Sequence, residues 1–327
     1  MSKTILVTGA GGFIGCHLCN DLAKRGNNVI GVDLYYPENF EKDHENSLQL
    51  VSGDYRSHSL MKELLRGVEV IFHLASAHRE IRLPESEYCD INVHSLRPFI
   101  ELADQSGVKR FVHVSSTGVY GNLETWPADE ETACKPQHVY GETKMMGEIE
   151  AKRYYEETNF PIVILRPSWV YGPGCPRTLK IYKALHNGYF VMIGRGNNLR
   201  HPVYIQDMLS AFILAMETES AVGETFVIGG NQAYTTRELV ESFCKTLDLP
   251  KYRIKLPMSL GKFIALGSEI LFRLSIKEPP VSRRSLEFFN TNNSFDISKA
   301  KKILGFNPSF SLAEGLKETQ PWFVRNA

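Results

Sequence analysis

Three polar side chains have the types and spacing of an acid/base centre. Tyr140 and Lys144 lie four residues apart in Tyr140-Gly-Glu-Thr-Lys144, so on a helix they share one face. A free tyrosine has a pKa of about 10, and a neighbouring ammonium lowers it by stabilising the phenolate. Ser116, after a predicted strand, would hydrogen-bond the reacting oxygen. Such a set can move the hydroxyl proton of a secondary alcohol.

A glycine-rich turn follows the first predicted strand. Gly9, Gly12 and Gly15 are spaced three apart, and Ile14 stands where the G-x-G-x-x-G spacing would need its third glycine. These glycines permit a tight turn, backbone approach to a pyrophosphate and close packing of the following helix, whose N-terminus attracts phosphate. Together with the Ser/Tyr/Lys set, the loop predicts redox chemistry with a nicotinamide cofactor.

Asp33 ends the second predicted strand, where a carboxylate would bind both hydroxyls of a ribose. The same charge would repel a 2′-phosphate, and Leu34, Tyr35 and Tyr36 supply no arginine to bind one. The predicted cofactor is therefore NAD rather than NADP.

The composition is typical of a soluble globular enzyme. The 327 residues are 43% hydrophobic and 23% charged, and 37 basic residues balance 37 acidic ones. Zero net charge argues against a dedicated nucleic-acid binder. Of six cysteines only Cys16 and Cys19 are close, and no second pair completes a metal site, so we predict no metal and inert, buried thiols.

The sequence predicts a cytoplasmic protein without a transmembrane segment. It opens Met-Ser-Lys-Thr and runs directly into a strand, with no signal peptide. The apolar stretch Leu260–Leu274 is too short to span a bilayer and contains Lys262, Glu269 and Arg273.

The first half of the chain alternates strand and helix patterns, which predicts a Rossmann-type doubly wound parallel sheet. A smaller C-terminal substrate-binding cap follows. We predict an NAD-binding domain over residues 1–167, a cap mainly over 168–327, and a return of residues 200–232 to the first domain. The predicted strands are Thr4–Thr8, Val29–Asp33, Leu48–Gly53, Val68–Ala75, Arg110–Ser115, Ile162–Arg166 and Thr225–Ile228. The predicted helices are Gly12–Lys24, Ser57–Leu65, Glu87–Gln105, Tyr140–Glu157, Leu179–Asn187, Asp207–Glu217, Thr236–Leu247, Ser259–Leu274 and Ser298–Leu304.

From Lys3 to about Pro321 the chain resembles the extended short-chain dehydrogenase/reductase family, in its NAD-dependent epimerase/dehydratase group. The resemblance rests on the glycine loop, the Tyr140/Lys144 pair and several further motifs. These motifs are Gly53-Asp54, His73-Leu-Ala-Ser76, Asn92, Ser115-Ser-Thr-Gly-Val-Tyr-Gly121, Leu165-Arg-Pro-Ser-Trp-Val-Tyr-Gly-Pro-Gly174, Arg200-His-Pro-Val-Tyr-Ile-Gln-Asp207 and Leu304-Gly-Phe-Asn-Pro308.

The resemblance implies roles for individual residues. Asp54 would meet the adenine amine, Asn92 would lie behind the catalytic centre, and Ser116 matches the catalytic Ser/Thr. The residues expected at the cofactor are Gly9, Gly12, Phe13, Ile14, Gly15, Asp33, Asp54, Tyr55, Leu74, Ala75, Ser76, Tyr140 and Lys144. Family members often dimerise through two long helices, here near Asp90–Gln105 and Tyr140–Glu157, so we expect a homodimer.

Departures from the family pattern narrow the reaction. Many 4,6-dehydratases and decarboxylases carry acidic residues just after the catalytic Ser/Thr, whereas Thr117 and Gly118 stand here. Trp169 replaces an Asn that meets the substrate in nucleotide-sugar enzymes, and the Arg-x-Gly-Asp segment is missing. The residues expected at the substrate are His78, Ser116, Thr117, Trp169, Arg177, Arg200 and Arg283.

Three functions remain open at this point. We favour a nucleotide-sugar 4-epimerase or keto-sugar reductase, with positive charge for a diphosphate supplied by Arg177, Lys180, Arg200, Arg283 and Arg284. The alternative is a 3β-hydroxysteroid-type dehydrogenase, because the tail from Val281 to Trp322 resembles that branch too. Trp169 and the apolar stretch Leu260–Leu274 suit an apolar alcohol or a membrane surface, although ordinary packing of the cap explains that stretch too. A non-enzymatic NAD sensor is disfavoured by the intact Ser116, Tyr140 and Lys144.

Overall fold

A parallel sheet of seven strands positions the motifs. The structure, a computed structural model, describes residues 2–37, 40, 47–78, 83–271 and 283–327. Its strands are β1 (Thr4–Thr8), β2 (Asn28–Asp33), β3 (Leu48–Ser52), β4 (Val70–His73), β5 (Arg110–Val114), β6 (Ile162–Pro167), β7 (Trp169–Tyr171), β8 (Val191–Ile193), β9 (Leu199–Arg200), β10 (Pro202–Tyr204), β11 (Thr225–Ile228), β12 (Tyr234–Thr235) and β13 (Ile254–Leu256). Its helices are α1 (Phe13–Lys24), α2 (His58–Leu64), α3 (Glu85–Cys89), α4 (Leu96–Gln105), α5 (Val139–Thr158), α6 (Pro176–His186), α7 (Ile205–Glu217), α8 (Thr236–Thr246), α9 (Met258–Leu271), α10 (Arg283–Asn290) and α11 (Leu312–Asn326).

The strand order confirms the predicted doubly wound α/β fold. The sheet runs β11-β6-β5-β4-β1-β2-β3, and all of its neighbouring strands pair in parallel. The order reverses between β1 and β4, and in such sheets this switch point opens a crevice at the carboxyl ends of the strands. The glycine loop leaves β1 at that edge, so the topology places it where a dinucleotide binds.

Apolar residues alternate between the two faces of the sheet, as the period of a strand requires. In β1, Ile5 and Val7 join the core on one face and Leu6 joins the core on the other. Phe72 and Ile71 of β4 divide in the same way. Both faces are therefore packed, which explains why these strands are short, continuous apolar runs.

The helix predicted over Glu87–Gln105 is present, but it is interrupted rather than a regular α-helix. The segment consists of α3, a π turn over Asp90–His94, and α4. At the turn, the N–H and the hydroxyl of Ser95 both donate to the carbonyl of Asp90, at 3.2 and 2.7 Å. The wider i to i−5 bond accommodates one extra residue and directs Asn92 toward the loop after β4.

Two C-terminal elements also differ from the predictions. The predicted helix Ser298–Leu304 is mostly a π turn over Ala300–Leu304. Helix α11 was not predicted. Pro321 lies inside it, although proline usually ends or kinks a helix. Its start carried a detectable signal, since Ser311 and Glu314 form a capping box. The last three residues of the predicted helix Ser259–Leu274 lie outside the described residues.

Short two-stranded pairings organise the second half of the chain. β7 pairs with β10 and β8 with β13, both in parallel, whereas β9 and β12 are antiparallel. β11 lies beside β6 in the main sheet. The division into domains at residue 167 stays a prediction.

A buried ion pair joins α5 to β6. Arg166 donates through Nε and Nη2 to both carboxylate oxygens of Glu148, at 2.6 to 3.1 Å, and both side chains are less than 5% exposed. The remaining guanidinium nitrogen of Arg166, Nη1, donates to Tyr120 Oη at 2.8 Å. Tyr120 Oη in turn donates to the carbonyl of Asp129. One guanidinium therefore fixes α5, which carries Tyr140 and Lys144, against the segment that follows Ser116.

Replacing Arg166 by Met should destabilise the protein strongly, because Glu148 would remain buried without a counter-charge. We expect the free energy of unfolding to fall by about 3–5 kcal/mol. Urea denaturation followed by far-UV circular dichroism measures this.

The matched control is Arg153→Met, which removes an exposed ion pair to Glu150 on the same helix. Its effect should be several-fold smaller, since exposed pairs contribute little. Equal losses in the two variants would contradict a structural role for the buried pair.

Candidate active site

The glycine loop packs too tightly for side chains at Gly9, Gly11 and Gly15, and a Cβ on Gly11 would lie 1.8 Å from the carbonyl oxygen of Tyr35. Gly9 has φ +74°, and a Cβ there would lie 2.7 Å from the backbone nitrogen of Ala75. A Cβ on Gly15 would lie 2.1 Å from the carbonyl oxygen of Gly9. α1 begins after Gly12 without a side-chain cap and with no acidic residue in its first turn. Its N-terminal N–H groups and dipole are thus available to an anion.

Asp33 is held beside this loop by backbone donors. Its Oδ2 accepts from the N–H of Gly11 at 2.9 Å, and its Oδ1 accepts from the N–H of Tyr35 at 3.2 Å. The carboxylate therefore stands at the carboxyl end of β2, next to the N-terminus of α1. A diphosphate on α1 and a ribose on Asp33 fit this arrangement.

The other predicted cofactor residues divide into loop residues and a core residue. Leu74, Ala75 and Ser76 are half-buried in the loop that leaves β4, and Ala75 donates to Thr8 Oγ1 at 3.3 Å. Phe13 and Ile14 are half-buried at the start of α1. The side chain of Tyr55, in contrast, is buried against His73 and Phe99. Only the backbone of Tyr55 can therefore face a cofactor.

Asp54 stands at the rim of this region with a partner of its own. Burial opposes ionisation of its carboxyl, but the hydrogen bonds and charge of Arg56 outweigh burial and lower the pKa of Asp54. Arg56 also reaches Glu87 at 2.8 Å. Asp54 is thus an ionised acceptor whose contact with an adenine amine stays a prediction.

Ser116 and Tyr140 meet around Gly118, after the end of β5. A Cβ on Gly118 would lie 3.3 Å from Ser116 Oγ and 3.7 Å from ring atoms of Tyr140. Ser116 Oγ also accepts from the N–H of Gly118 at 3.0 Å. Gly141 lets α5 approach this turn, because a Cβ there would lie 2.5 Å from the carbonyl oxygen of Gly118. The two residues predicted to contact the reacting oxygen therefore border one space.

Lys144 lies one turn further along α5 and is 2% exposed. Burial lowers the pKa of its ammonium from 10.5 to about 8, and the carboxylate of Glu148 partly offsets that fall. Lys144 therefore keeps its charge at neutral pH. A buried positive charge on the face of α5 that carries Tyr140 favours the phenolate of that tyrosine.

A clamp holds the loop after β4 against α5. Asn92 Oδ1 accepts from the N–H of Ala77 at 2.8 Å, and its Nδ2 donates to the carbonyl of Ala77 and to Thr143 Oγ1. His78, next in the loop, is exposed and packs edge-on against Tyr140, with ring centroids 4.5 Å apart. Sequence reasoning placed Asn92 behind the centre but missed Thr143, although it lies inside the Tyr140–Lys144 motif.

Two buried histidines lie beneath Lys144. His73 and His113 stack with ring centroids 5.6 Å apart, and Thr8 Oγ1 contacts His73 Nδ1 at 2.8 Å. Within the described residues neither ring nitrogen of His113 has a hydrogen-bond partner. Burial, together with the charge of Lys144, lowers the pKa of His73 to about 3 and places the pKa of His113 well below its usual value.

Three of the predicted substrate residues, Trp169, Arg177 and Arg200, lie where β7, α6 and β9 meet α10. Arg177 stacks over the ring of Trp169 at 5.4 Å, and Trp169 meets Phe288 edge-on at 6.0 Å. Arg200 is buried and donates to the carbonyl of Phe288 at 3.1 Å and to Thr291 Oγ1 at 3.2 Å. Burial lowers its pKa to about 10.

The structure shows fewer contacts for the remaining predicted substrate residues. Thr117 is half-buried in a 3₁₀ turn beside Ser116. The side chains of Arg283 and Arg284 lie outside the described part of the structure. Of the cysteines predicted to be buried, Cys19, Cys175 and Cys244 are buried, whereas Cys16, Cys89 and Cys134 are half-buried.

Comparison with known proteins identifies the family. The sequence model of the NAD dependent epimerase/dehydratase family matches residues 5–229, which include the glycine loop, Ser116, Tyr140 and Lys144. The chain belongs to this family. As a member of the NAD dependent epimerase/dehydratase family it is an NAD-dependent enzyme, and the uncapped start of α1 with Asp33 beside it fits NAD.

Relatives cover almost the whole chain. An uncharacterized UDP-glucose epimerase of Bacillus subtilis is 31% identical over 334 residues, covering 95% of each chain. A 3beta-hydroxysteroid-dehydrogenase/decarboxylase of Arabidopsis thaliana is 27% identical over 96% of this chain and 78% of its own. The crystal structure of UDP-glucuronic acid 4-epimerase from Bacillus cereus with NAD superimposes with a TM-score of 0.81 at 25% identity, over 99% of each chain.

Replacing Gly15 by Ala should force α1 away from β1, because the new methyl group would meet the carbonyl of Gly9. We expect a loss of about 1–3 kcal/mol in the free energy of unfolding, typical of overpacking. Bound NAD should fall with it, since the helix N-terminus would no longer meet the loop. Denaturant titration and quantification of NAD released from purified protein test both.

A suitable control is Gly267→Ala in α9, where a Cβ meets nothing within 4 Å. This variant should be as stable as the wild type or slightly more stable, because Ala favours helix. Unchanged NAD content in Gly15→Ala would contradict the proposed packing.

The buried histidines predict a pH dependence of stability. In the unfolded chain a histidine binds a proton below pH of about 6.5, whereas folded His73 stays neutral to about pH 3. The unfolded state then binds more protons, so stability falls as pH drops from about 6.5 toward 3.

Substituting His113 by Leu should flatten this dependence by up to about 1.4 kcal/mol per pH unit. The measurement is urea denaturation at pH 7, 6 and 5. Substituting exposed His58 by Leu is the control and should retain the wild-type slope. Parallel slopes for wild type and the His113→Leu variant would refute the assignment.

Proposed function

We propose that the protein is a nucleotide-sugar 4-epimerase in which Tyr140 exchanges the proton of a ring hydroxyl. The observation that carries the proposal is the space bordered by the Ser116 hydroxyl and the Tyr140 ring, with charged Lys144 one turn away. The epimerase names of the Bacillus subtilis relative and the Bacillus cereus structure support this reaction.

The side chains divide the chemistry as follows. NAD, held at the N-terminus of α1 and by Asp33, would supply the acceptor and donor of the hydride. Tyr140, as phenolate, takes the hydroxyl proton when the alcohol becomes a ketone, and gives it back in the reverse step. Lys144 stabilises the phenolate, and Ser116 donates a hydrogen bond to the reacting oxygen. Inversion at this carbon requires the ketone to present its other face before the hydride returns.

Trp169 offers a replacement for the missing asparagine. Its indole Nε1 is buried, and no described residue accepts a hydrogen bond from it. An indole N–H is a donor only, so a sugar or phosphate oxygen would satisfy it. Arg177, stacked on the same ring, would supply positive charge to the diphosphate.

Arg200 fits the predicted diphosphate contact less directly. Its guanidinium already donates to the carbonyls of Glu287 and Phe288 and to Thr291. In this arrangement Arg200 anchors α10 under Trp169. A direct contact with substrate would require α10 to move.

A 3β-hydroxysteroid-type dehydrogenase is the second candidate. The Arabidopsis relative carries that name, and the apolar Trp169–Phe288 contact suits an apolar alcohol. The two reactions differ in their use of cofactor: an epimerase recycles NAD in place, whereas a dehydrogenase exchanges it every turnover.

We also propose a homodimer formed through α4 and α5. Met146 and Ile149 project from α5 with 41% and 48% of their surface exposed, which supports an interface there. Phe99, in contrast, is buried in the core of its own chain. A cytoplasmic location stays a prediction.

Replacing Tyr140 by Phe should lower kcat by about 10²–10⁴-fold, because the acid/base group is removed. NAD content should stay unchanged, since the ring and Lys144 remain. The assay is NMR detection of C4 inversion in UDP-glucose and UDP-glucuronic acid, with UDP-N-acetyl sugars next. Tyr189→Phe, at an exposed tyrosine, is the matched control.

Two results would overturn the proposal. Turnover at the wild-type rate by the Tyr140→Phe variant would exclude Tyr140 as the acid/base group. Purified protein that lacks NAD and oxidises a sterol with net NADH production would identify the dehydrogenase instead.

A further inference from the structure

The outward face of α9 consists almost entirely of large apolar side chains. Phe263, Ile270 and Leu271 are 74%, 64% and 80% exposed. Leu260, Ile264 and Leu266 are between 41% and 45% exposed. In α9, every residue of which is described, the exposed polar residues are Ser259 and Lys262.

This distribution is the reverse of that in a surface helix of a globular protein, which buries its apolar stripe. The positions of α9 that face the protein are small: Gly261 packs against Ile193 and Leu286, and Ala265 is fully buried. The larger apolar side chains therefore add little to the core. A contiguous exposed patch of this kind marks an interaction surface.

The chain segment that leads into α9 and forms it is basic. Residues 250–271 contain Lys251, Arg253, Lys255 and Lys262, all exposed, and one acidic residue, Glu269, which is half-buried. The whole chain, by comparison, has equal numbers of basic and acidic residues. The segment that precedes and forms the apolar face therefore carries a net positive charge.

We propose that α9 binds the surface of an anionic lipid bilayer. Apolar side chains of an amphipathic helix enter the boundary between headgroups and acyl chains, and flanking lysines and arginines bind anionic headgroups. The helix would lie in the interface plane. Among the described residues, no helix has the length and hydropathy needed to cross a bilayer.

The charge distribution disfavours a second copy of the chain as the occupant. A two-fold contact would bring the same surface patch of each copy together. Such an interface would gather the basic residues of both copies, and within residues 250–271 only the half-buried Glu269 could oppose them. An anionic bilayer, in contrast, offers its acyl chains to the apolar face and its charged headgroups to the basic residues.

The position of α9 gives such docking a consequence for the active site. α9 packs on α10 through Leu286, and α10 contacts Trp169 through Phe288. Glu287 of α10 also bonds His138, two residues before Tyr140, at 2.7 Å. A single helix therefore separates the lipid-facing surface from the candidate substrate site.

Co-sedimentation of the full-length protein with vesicles tests the proposal. Phosphatidylglycerol/phosphatidylcholine vesicles should bind the protein at least tenfold more tightly than vesicles of phosphatidylcholine alone, and added salt should weaken this binding. The double variant Phe263→Ser/Ile270→Ser should lose at least tenfold in affinity, and Lys255→Gln/Lys262→Gln should lose affinity for anionic vesicles. Val324→Ser, at an apolar residue that is 62% exposed on α11, is the control and should bind as the wild type does.

Folding of each variant is checked by circular dichroism and NAD content. Absence of binding to anionic vesicles, or equal binding by wild type and the Phe263→Ser/Ile270→Ser variant, would overturn the proposal. So would sedimentation velocity in which that variant alone converts a dimer to a monomer, since the face would then join two copies of the chain.

Discussion

The site depends on the burial of charge at the base of α5. Buried Lys144 keeps its proton because the carboxylate of Glu148, one turn along the same helix, offsets part of the fall in its pKa. Glu148 is in turn paired with Arg166. Two cations, Lys144 and Arg166, and one anion, Glu148, are buried together. Hydrogen bonds must therefore offset the free-energy cost of removing these charges from water. The guanidinium meets that condition with donors to Glu148 and Tyr120. The electrostatic environment of Lys144 and the attachment of the loop after β5 thus come from one network.

Most of the nucleotide-binding half could be predicted from sequence because local signals coincide there. Short apolar runs bounded by glycine define β1, β2 and β5, and parallel pairing then places their carboxyl ends at one edge. Once Gly9 and Asp33 end two adjacent strands, their proximity follows from topology alone. The Tyr140/Lys144 pair likewise follows from helical period.

What could not be predicted depends on contacts between distant residues. No characteristic amino-acid composition marks the π turn at Asp90–His94. Its geometry follows from the bonds of Asn92 to Ala77 and Thr143. The orientation of Arg200 toward α10 could not be predicted either, because the motif that contains Arg200 suggests a substrate contact. The apolar sequence of α9 fits packing in a cap and exposure at a surface equally well, because periodicity shows which residues share a face without showing what covers that face.

The π turn holds the loop after β4 through Asn92, and the helix that follows it, α4, packs in the core. α4 must present Phe99 and Ile100 to the core, whereas Asn92 must point toward the loop after β4. In an uninterrupted helix each residue turns by about 100°, so the two requirements would share a single register. The inserted residue releases that constraint. The register of Asn92 is thereby offset from that of α4, so one stretch of chain both packs the core and holds the loop at the candidate site.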